Sequence, residues 1–202
     1  KARWLFLTLT VKNVYDGEEL DKSLRAIAQG FNRLVKYKKV ARNLIGFMRA
    51  TEVTVNKIDN SYNQHLHVLI CVEPTYFKNT ENYITHKQWT ELWKRAMKLD
   101  YDPVVDVRAI KPKNKRKTDI QSAIDETAKD PVKDTDYMTD DKERNLQIVK
   151  DLEEGLYRKR LLSYGGLLKE IHKEFNFDDV EDGDLIHTDD EEDEASENAY
   201  SI

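Results

Sequence analysis

The chain has 202 residues, of which 35% are charged and 39% hydrophobic, enough for one well-buried domain with appendages and a polar surface. No apolar run approaches the roughly 18 residues of a transmembrane helix, and no signal-peptide pattern is present, so we expect no membrane span. A single cysteine, Cys71, excludes an intramolecular disulfide and favours a reducing, cytoplasmic location. Because the sequence opens directly on a strand-like pattern, we expect it to be a fragment of a longer protein.

The net charge of −5 hides a division between two parts of the chain. Residues 178–202 hold 12 of the 38 acidic residues and no Lys or Arg. The remaining 26 acidic residues stand against 33 basic ones, so residues 1–177 carry a formal charge of about +7. We predict a basic folded part and a disordered acidic tail over residues 178–202.

The first 35 residues predict a strand followed by a helix. Residues 4–11 alternate between apolar and polar positions, as a half-buried strand does. Asp16 with Glu19 three residues later is a capping signature for a helix. The apolar positions that follow have helical spacing; they are Leu20, Leu24, Ile27, Ala28, Phe31, Leu34 and Val35.

Two histidines stand out in the next part of the chain. In His65-Leu66-His67, which opens an apolar run ending at Val72, strand alternation places both histidines on one face and Leu66 on the other. Their separation of about 7 Å along a strand suits two ligands of one metal ion. The alternative is that two histidines merely sit on a solvated sheet face.

A carboxylate can join these histidines. Residues 45–55 predict a partner strand, and Asp59-Asn60 is a plausible two-residue hairpin turn. That turn sets Glu52 opposite His67 and Thr54 opposite His65, with Cβ atoms about 5 Å apart. Two imidazoles and a carboxylate suit Mn²⁺ or Mg²⁺. A slip of one residue in register would move Glu52 to the wrong face.

The remaining elements of the first half complete the fold class. Thr85 with Gln88 is a capping box. The apolar stripe after it is Trp89, Leu92, Trp93, Ala96 and Met97. Residues 104–110 predict a short strand. The order strand, helix, strand, strand, helix, strand predicts an α+β fold, an antiparallel sheet of about five strands with helices on one face.

A basic run follows the last strand. Five of seven residues are basic: Lys111, Lys113, Lys115, Arg116 and Lys117. They form either a site for the nucleic-acid backbone or a solvated charge run. A predicted helix over residues 118–129 places Glu126 and residue 130 on one polar stripe.

Two further helices, over about 141–160 and 164–175, form a predicted C-terminal extension at 139–177. Their apolar stripes indicate packing against the main domain or another subunit.

Three motifs together resemble the rolling-circle replication initiators of small bacterial plasmids, within the HUH endonucleases. Phe6-Leu7-Thr8-Leu9-Thr10 resembles the first motif and Gln64-His65-Leu66-His67-Val68-Leu69 the second, while residues 123–137 occupy the place of the third. The resemblance covers most of the chain and implies the HUH nuclease fold, here residues 1–138. Lys129 and Lys133, within the third-motif segment, are further candidates for DNA contact.

The resemblance also implies an activity and partners. Such a protein nicks one strand of the plasmid's double-strand origin, single-stranded or cruciform at the nick, with a metal polarising the scissile phosphate. A tyrosine becomes linked to the 5′ phosphate and leaves a 3′ hydroxyl for the host polymerase, aided by a host helicase. Glu126 matches the glutamate that activates water at termination. Family members often act as dimers, and the two predicted C-terminal helices are candidates for the contact of a homodimer.

One position departs from this pattern. Where the family pattern expects the nucleophilic tyrosine, this chain has Asp130. Tyr137, seven residues on, is the nearest alternative nucleophile. Two functions follow from this departure. The chain is a metal-dependent endonuclease, which is either inactive in cleavage or uses another tyrosine as its nucleophile. Alternatively, it is a non-catalytic origin-binding protein that recruits helicase and polymerase.

Overall fold

A computed structural model describes residues 2–110 and 141–174. In those ranges the elements are β1 (Arg3–Thr10), α1 (Gly17–Leu34), α2 (Lys38–Ala41), β2 (Leu44–Val55), β3 (Tyr62–Val72), α3 (His86–Met97), β4 (Val105–Ala109), α4 (Lys142–Leu156), β5 (Leu162–Gly166) and α5 (Leu167–Glu174). The predicted helix over residues 118–129, the acidic tail and both predicted domain boundaries lie outside the described residues. No described helix is long and apolar enough to cross a membrane.

The five strands form one antiparallel sheet in the order β4-β1-β3-β2-β5. The α+β class and the five-stranded antiparallel sheet are therefore confirmed. Strand β3 lies at the centre, between β1 and β2. Side chains that β3 presents to one face therefore have neighbours on both sides.

The two predicted helix starts are present as hydrogen-bonded caps. Asp16 Oδ1 accepts from the Glu19 backbone N–H at 2.8 Å, and Glu19 Oε2 accepts from the Tyr15 N–H at 3.0 Å. Thr85 and Gln88 form the reciprocal capping box at the start of α3. Each cap satisfies backbone donors that the first helical turn cannot pair internally.

The main core lies on one face of the sheet. Alternate residues of β1 and β3 point into it and meet the apolar stripes of α1 and α3. Its buried side chains include Leu5, Leu7, Leu9, Leu66, Val68, Ile70, Ile27, Phe31, Trp89 and Trp93. The opposite face carries the odd-numbered positions of β3, including both histidines of the motif.

Helix α4 completes this helical layer. Ile148 and Leu152 pack against Leu20 and Leu24 of α1 in a second core cluster. Tyr62 of β3 also belongs to that cluster, and its hydroxyl donates to Asp151 Oδ2 at 2.7 Å. Helices α1, α3 and α4 therefore lie on the same face of the sheet. The predicted helix over 141–160 is confirmed, with an earlier end at Leu156.

The predicted helix over residues 164–175 is wrong in its first part. Residues 162–166 form strand β5, in which Tyr164 pairs with Met48 of β2. Gly165 accommodates the Phe47 ring, since a Cβ there would lie 2.2 Å from Phe47 Cε1. Gly166 has φ +56°, a conformation that glycine adopts without strain. The helix begins only at Leu167.

The chain divides into two units, residues 1–169 and 170–202. All five strands belong to the first unit, as do α1 to α4. Of the second unit the structure describes residues 170–174 only, the end of α5.

Candidate metal centre

The hairpin between β2 and β3 sets the register of the site. The Asn56 N–H donates to the Ser61 carbonyl at 2.8 Å, which leaves four residues in the loop rather than the predicted two. Asn60 takes a left-handed φ of 62°, and Asp59 Oδ1 accepts from the Ser61 N–H at 3.0 Å. The centre of the observed turn therefore lies one residue nearer the N-terminus than the centre of the predicted turn.

The predicted pairing is therefore wrong by two residues. Glu52 lies opposite His65 instead of His67, and Thr54 lies opposite Asn63. His67 has Ala50 as its partner in β2 and Thr8 in β1. Because side chains alternate with a period of two, a shift of two residues leaves Glu52 on the histidine face. The predicted convergence of the three side chains survives the change in register.

Glu52, His65 and His67 converge on one point. His67 Nε2 lies 2.7 Å from Glu52 Oε2, His65 Nε2 lies 3.4 Å from the same oxygen, and the two Nε2 atoms are 3.2 Å apart. The side chains are partly buried, with 20%, 13% and 15% of their surfaces exposed for Glu52, His65 and His67. A small ligand can reach the three atoms without unfolding of the sheet.

The carboxylate of this cluster is held in its charged form. Hydrogen bonds from His65 and then His67 lower the pKa of the Glu52 carboxyl well below its usual range. They outweigh partial burial, which by itself would raise that pKa. Glu52 is therefore ionised at neutral pH and presents a negative oxygen between two imidazoles.

Two neighbouring side chains orient the imidazole rings. His65 Nδ1 lies 3.2 Å from Asn63 Oδ1, within hydrogen-bond distance. His67 Nδ1 lies 3.2 Å from Thr8 Oγ1, and the Phe6 ring stacks on His67 with centroids 5.5 Å apart. With both Nδ1 atoms engaged, both Nε2 atoms point towards the carboxylate. Metal-binding histidines are commonly oriented in this way.

The donor set fits a divalent ion. One ligand atom from each of Glu52, His65 and His67 lies within 4.8 Å of the others, the only such group of three found among the described residues. Two imidazole nitrogens and one carboxylate oxygen are ligands that Mn²⁺ accepts, with positions left over for water or substrate. The residues present are thus compatible with the metal that the resemblance implies.

The other predicted site residues all lie between positions 111 and 140. The candidate catalytic residues Glu126, Asp130 and Tyr137 lie outside the described residues. The same holds for the candidate DNA-binding residues Lys111, Lys113, Lys115, Arg116, Lys117, Lys129 and Lys133. Their assignments stay predictions.

Sequence reasoning missed the two orienting residues. Asn63 is two positions before His65 and so shares its face of β3, a signal that period-two alternation already contains. Thr8 lies within the first motif, but its contact with His67 depends on the pairing of β1 with β3. That pairing joins residues 59 positions apart and has no local signal.

The whole chain matches one protein family. A family model described as "Replication protein" covers residues 1–202. A replication protein of Staphylococcus aureus is 74% identical over 201 residues, which is 100% of this chain and 85% of that protein. No solved structure matches the chain.

More distant relatives carry the name "Protein rep". The Lactiplantibacillus plantarum protein is 54% identical over 193 residues, which is 95% of this chain and 61% of that protein. A protein from Streptococcus pneumoniae is 46% identical over 197 residues, which is 97% of this chain and 59% of that protein. With a full-length family match and relatives at these identities, the chain belongs to the replication protein family.

Proposed function

We propose that this replication protein is a plasmid initiator that nicks one DNA strand at the double-strand origin in a metal-dependent reaction. The observation that carries the proposal is the convergence of Glu52, His65 and His67 on one face of the sheet. Origin DNA is the proposed substrate, and host helicase and polymerase are the proposed partners of the nicked product.

Each residue of the cluster has a defined role in this proposal. Glu52, His65 and His67 hold Mn²⁺ or Mg²⁺, while Asn63 and Thr8 keep the imidazole rings in position. A divalent ion held there would act as a Lewis acid and stabilise negative charge on the scissile phosphate. The partial burial of the cluster excludes much of the surrounding water, which strengthens its electrostatic interactions.

Strand cleavage further requires a nucleophile. When a tyrosine attacks, its phenolic oxygen forms a bond to phosphorus and the bond from phosphorus to the 3′ oxygen breaks. The phenolic proton leaves to a base, and the departing oxygen takes up a proton to become the 3′ hydroxyl. The resemblance places this tyrosine at position 130, four residues after Glu126, but the chain has Asp130. A carboxylate at that position gives at best a labile acyl phosphate.

A nicking assay tests the proposal. Supercoiled plasmid carrying the origin is incubated with Mn²⁺ and either the chain as written or Asp130→Tyr. We expect little adduct from the chain as written, and nicked plasmid with a 5′ adduct that survives denaturing electrophoresis from Asp130→Tyr. Tyr137→Phe introduced into that active variant should leave the nicking in place. Efficient nicking by the present chain that Tyr137→Phe abolishes would assign the nucleophile to Tyr137.

Metal binding is tested separately by calorimetry with MnCl₂. His65→Ala and Glu52→Ala should each lose most of the Mn²⁺ affinity, because each removes one of three ligands. His86→Ala is a matched control, since His86 Nε2 contacts the Val105 carbonyl and lies outside the cluster. Unchanged affinity in both ligand variants would remove the metal site from the proposal.

A second candidate function is an origin-binding protein without chemistry. Asp130 at the expected nucleophile position is the observation that favours it. The same gel separates the two functions. Plasmid that remains supercoiled with Asp130→Tyr as well as with the chain as written supports a protein that binds the origin and recruits helicase and polymerase.

A further inference from the structure

A basic pocket lies on the face of the sheet opposite the metal centre. It has a volume of about 330 Å³ and lies between the middle of α1, strand β2 and the segment that connects α4 to β5. Its basic residues are Arg25, Arg49, Arg158, Lys159 and Arg160, and the lining residues that the structure describes include no Asp or Glu. We call this cavity the basic pocket.

Arg49 forms the inner wall of the basic pocket. It projects from β2 towards the helices, and only 7% of its surface is exposed. Its guanidinium lies 5.3 Å from the centroid of the Phe31 ring, while its Nε has no hydrogen-bond partner within the part of the chain that the structure describes. Burial lowers the pKa of Arg49, which reflects the unfavourable loss of water around its charge. A buried cation of this kind is stabilised when an anion enters beside it.

One carboxylate offsets part of the charge at the rim. Asp21 accepts from Arg25 Nε at 2.8 Å and also from Lys159 Nζ. Arg158 lies over the Tyr157 ring, 5.1 Å from its centroid, and forms no ion pair with a carboxylate in the described part of the chain. Five cations therefore stand against one paired carboxylate among the described residues, and the pocket keeps a surplus of positive charge.

Arg158 is held in the rim by an unusual turn. The Lys159 N–H donates to the Leu156 carbonyl at 3.0 Å, and Tyr157 has φ −52° and ψ 122°. Arg158 follows with φ 52°, in the third position of what is a type II turn. That position favours glycine or asparagine. An arginine there is strained, so the backbone conformation does not explain why position 158 is an arginine.

We propose that the basic pocket binds phosphate groups of the DNA backbone at a second site, across the sheet from Glu52, His65 and His67. This inference rests on the proposed function, because it takes DNA as the substrate of the protein. Guanidinium groups pair with phosphate through two parallel N–H···O bonds, and four of the five cations are arginines. The volume lies at the small end of the usual range for ligand sites, which suits a phosphate with its flanking sugars.

The test measures the salt dependence of binding to a fluorescently labelled DNA duplex by anisotropy, in EDTA so that no metal is present and no strand is cut. The variant is Arg158→Gly combined with Arg160→Ala, because glycine suits the turn while both substitutions remove exposed charges. We expect the slope of log affinity against log salt to fall by about 1.8, at about 0.9 for each lost contact. When salt is raised from 50 to 200 mM, the affinity of the unmodified chain should therefore fall by a factor about twelve times larger than that of the variant.

The matched control, Lys78→Ala combined with Lys87→Ala, removes two exposed positive charges that lie outside the basic pocket. It should keep the original slope. An equal fall in the control, or an unchanged slope in the pocket variant, would overturn the proposal. Because the assay contains EDTA and needs neither metal nor strand cleavage, failure of the metal or nicking proposal is distinguishable from failure of this one.

A second variant tests the inner wall. Arg49→Met replaces the buried cation with an uncharged chain of similar length, so the melting temperature should hold or rise while DNA affinity falls. Full DNA affinity in Arg49→Met would overturn its assigned role. Inorganic phosphate distinguishes the source of the anion. If phosphate raises the melting temperature of the unmodified chain but not of Arg49→Met, and neither pocket variant affects DNA binding, the pocket takes free phosphate and the DNA proposal is wrong.

Discussion

The orientation of His67 by Thr8 yields the sharpest prediction about the metal centre. Thr8→Val removes the hydroxyl that lies 3.2 Å from His67 Nδ1 and keeps a β-branched side chain of nearly the same shape. The three proposed ligands are untouched. Any change in Mn²⁺ affinity therefore reports how well the His67 ring is held.

The structure indicates the size of the effect. Loss of a group that orients a metal ligand typically costs about 10-fold to 100-fold in affinity. The contact at 3.2 Å is long and uncharged, and the Phe6 ring stacked on His67 still restrains the imidazole after the substitution. We therefore expect the lower end of that range, a loss of about 10-fold or about 1.4 kcal/mol.

Calorimetry with MnCl₂ near pH 7 in the absence of DNA measures this loss. Thr10→Val is the matched control, because Thr10 lies on the same face of β1 but donates to the Val104 carbonyl at 2.8 Å. The control should bind Mn²⁺ as the unmodified chain does. Equal affinities for Thr8→Val and the unmodified chain, or an equal loss in Thr10→Val, would refute the role assigned to Thr8.

Three further predictions concern DNA binding and stability. Replacing three of the lysines in residues 111–117 by alanine should flatten the salt slope of duplex binding by about 2 to 3, and an unchanged slope would make the run ordinary solvated charge. Tyr62→Phe deletes the buried 2.7 Å hydrogen bond to Asp151 and should lower the urea-derived free energy of unfolding by about 1.5 to 3 kcal/mol, whereas a loss below about 0.5 kcal/mol would contradict it. Hydrogen bonds from Arg25 and then Lys159 lower the pKa of Asp21 from 3.8 to about 2, so its ionised form stabilises the fold above pH 3.8. That contribution is lost as the pH falls through 2. The difference in Tm between the unmodified chain and Asp21→Asn should therefore shrink between pH 5 and pH 2. A difference in Tm that stays constant over this range would show that the charge of Asp21 does not cause it.

Local patterns determined the parts of the fold whose causes are local. The Asp16 and Thr85 caps were predicted because a cap is a contact between residues three or four positions apart. The shared face of His65 and His67 was predicted for the same kind of reason, since strand geometry alone sends alternate side chains to opposite sides. Glu52 lies on that face as predicted, because the predicted and observed registers differ by an even number of residues.

Tertiary structure decided what depends on partners distant in the chain. Residues 162–166 form a strand because their backbone groups pair with the edge of β2, and their sequence leads directly into the helical pattern at Leu167. The contact of Thr8 with His67 exists only once β1 lies beside β3. Arg49 and Arg158 meet at one pocket although 109 positions separate them. The free energy of such pairings is gained only after distant segments have been brought together, so no local run of residues carries a signal for them.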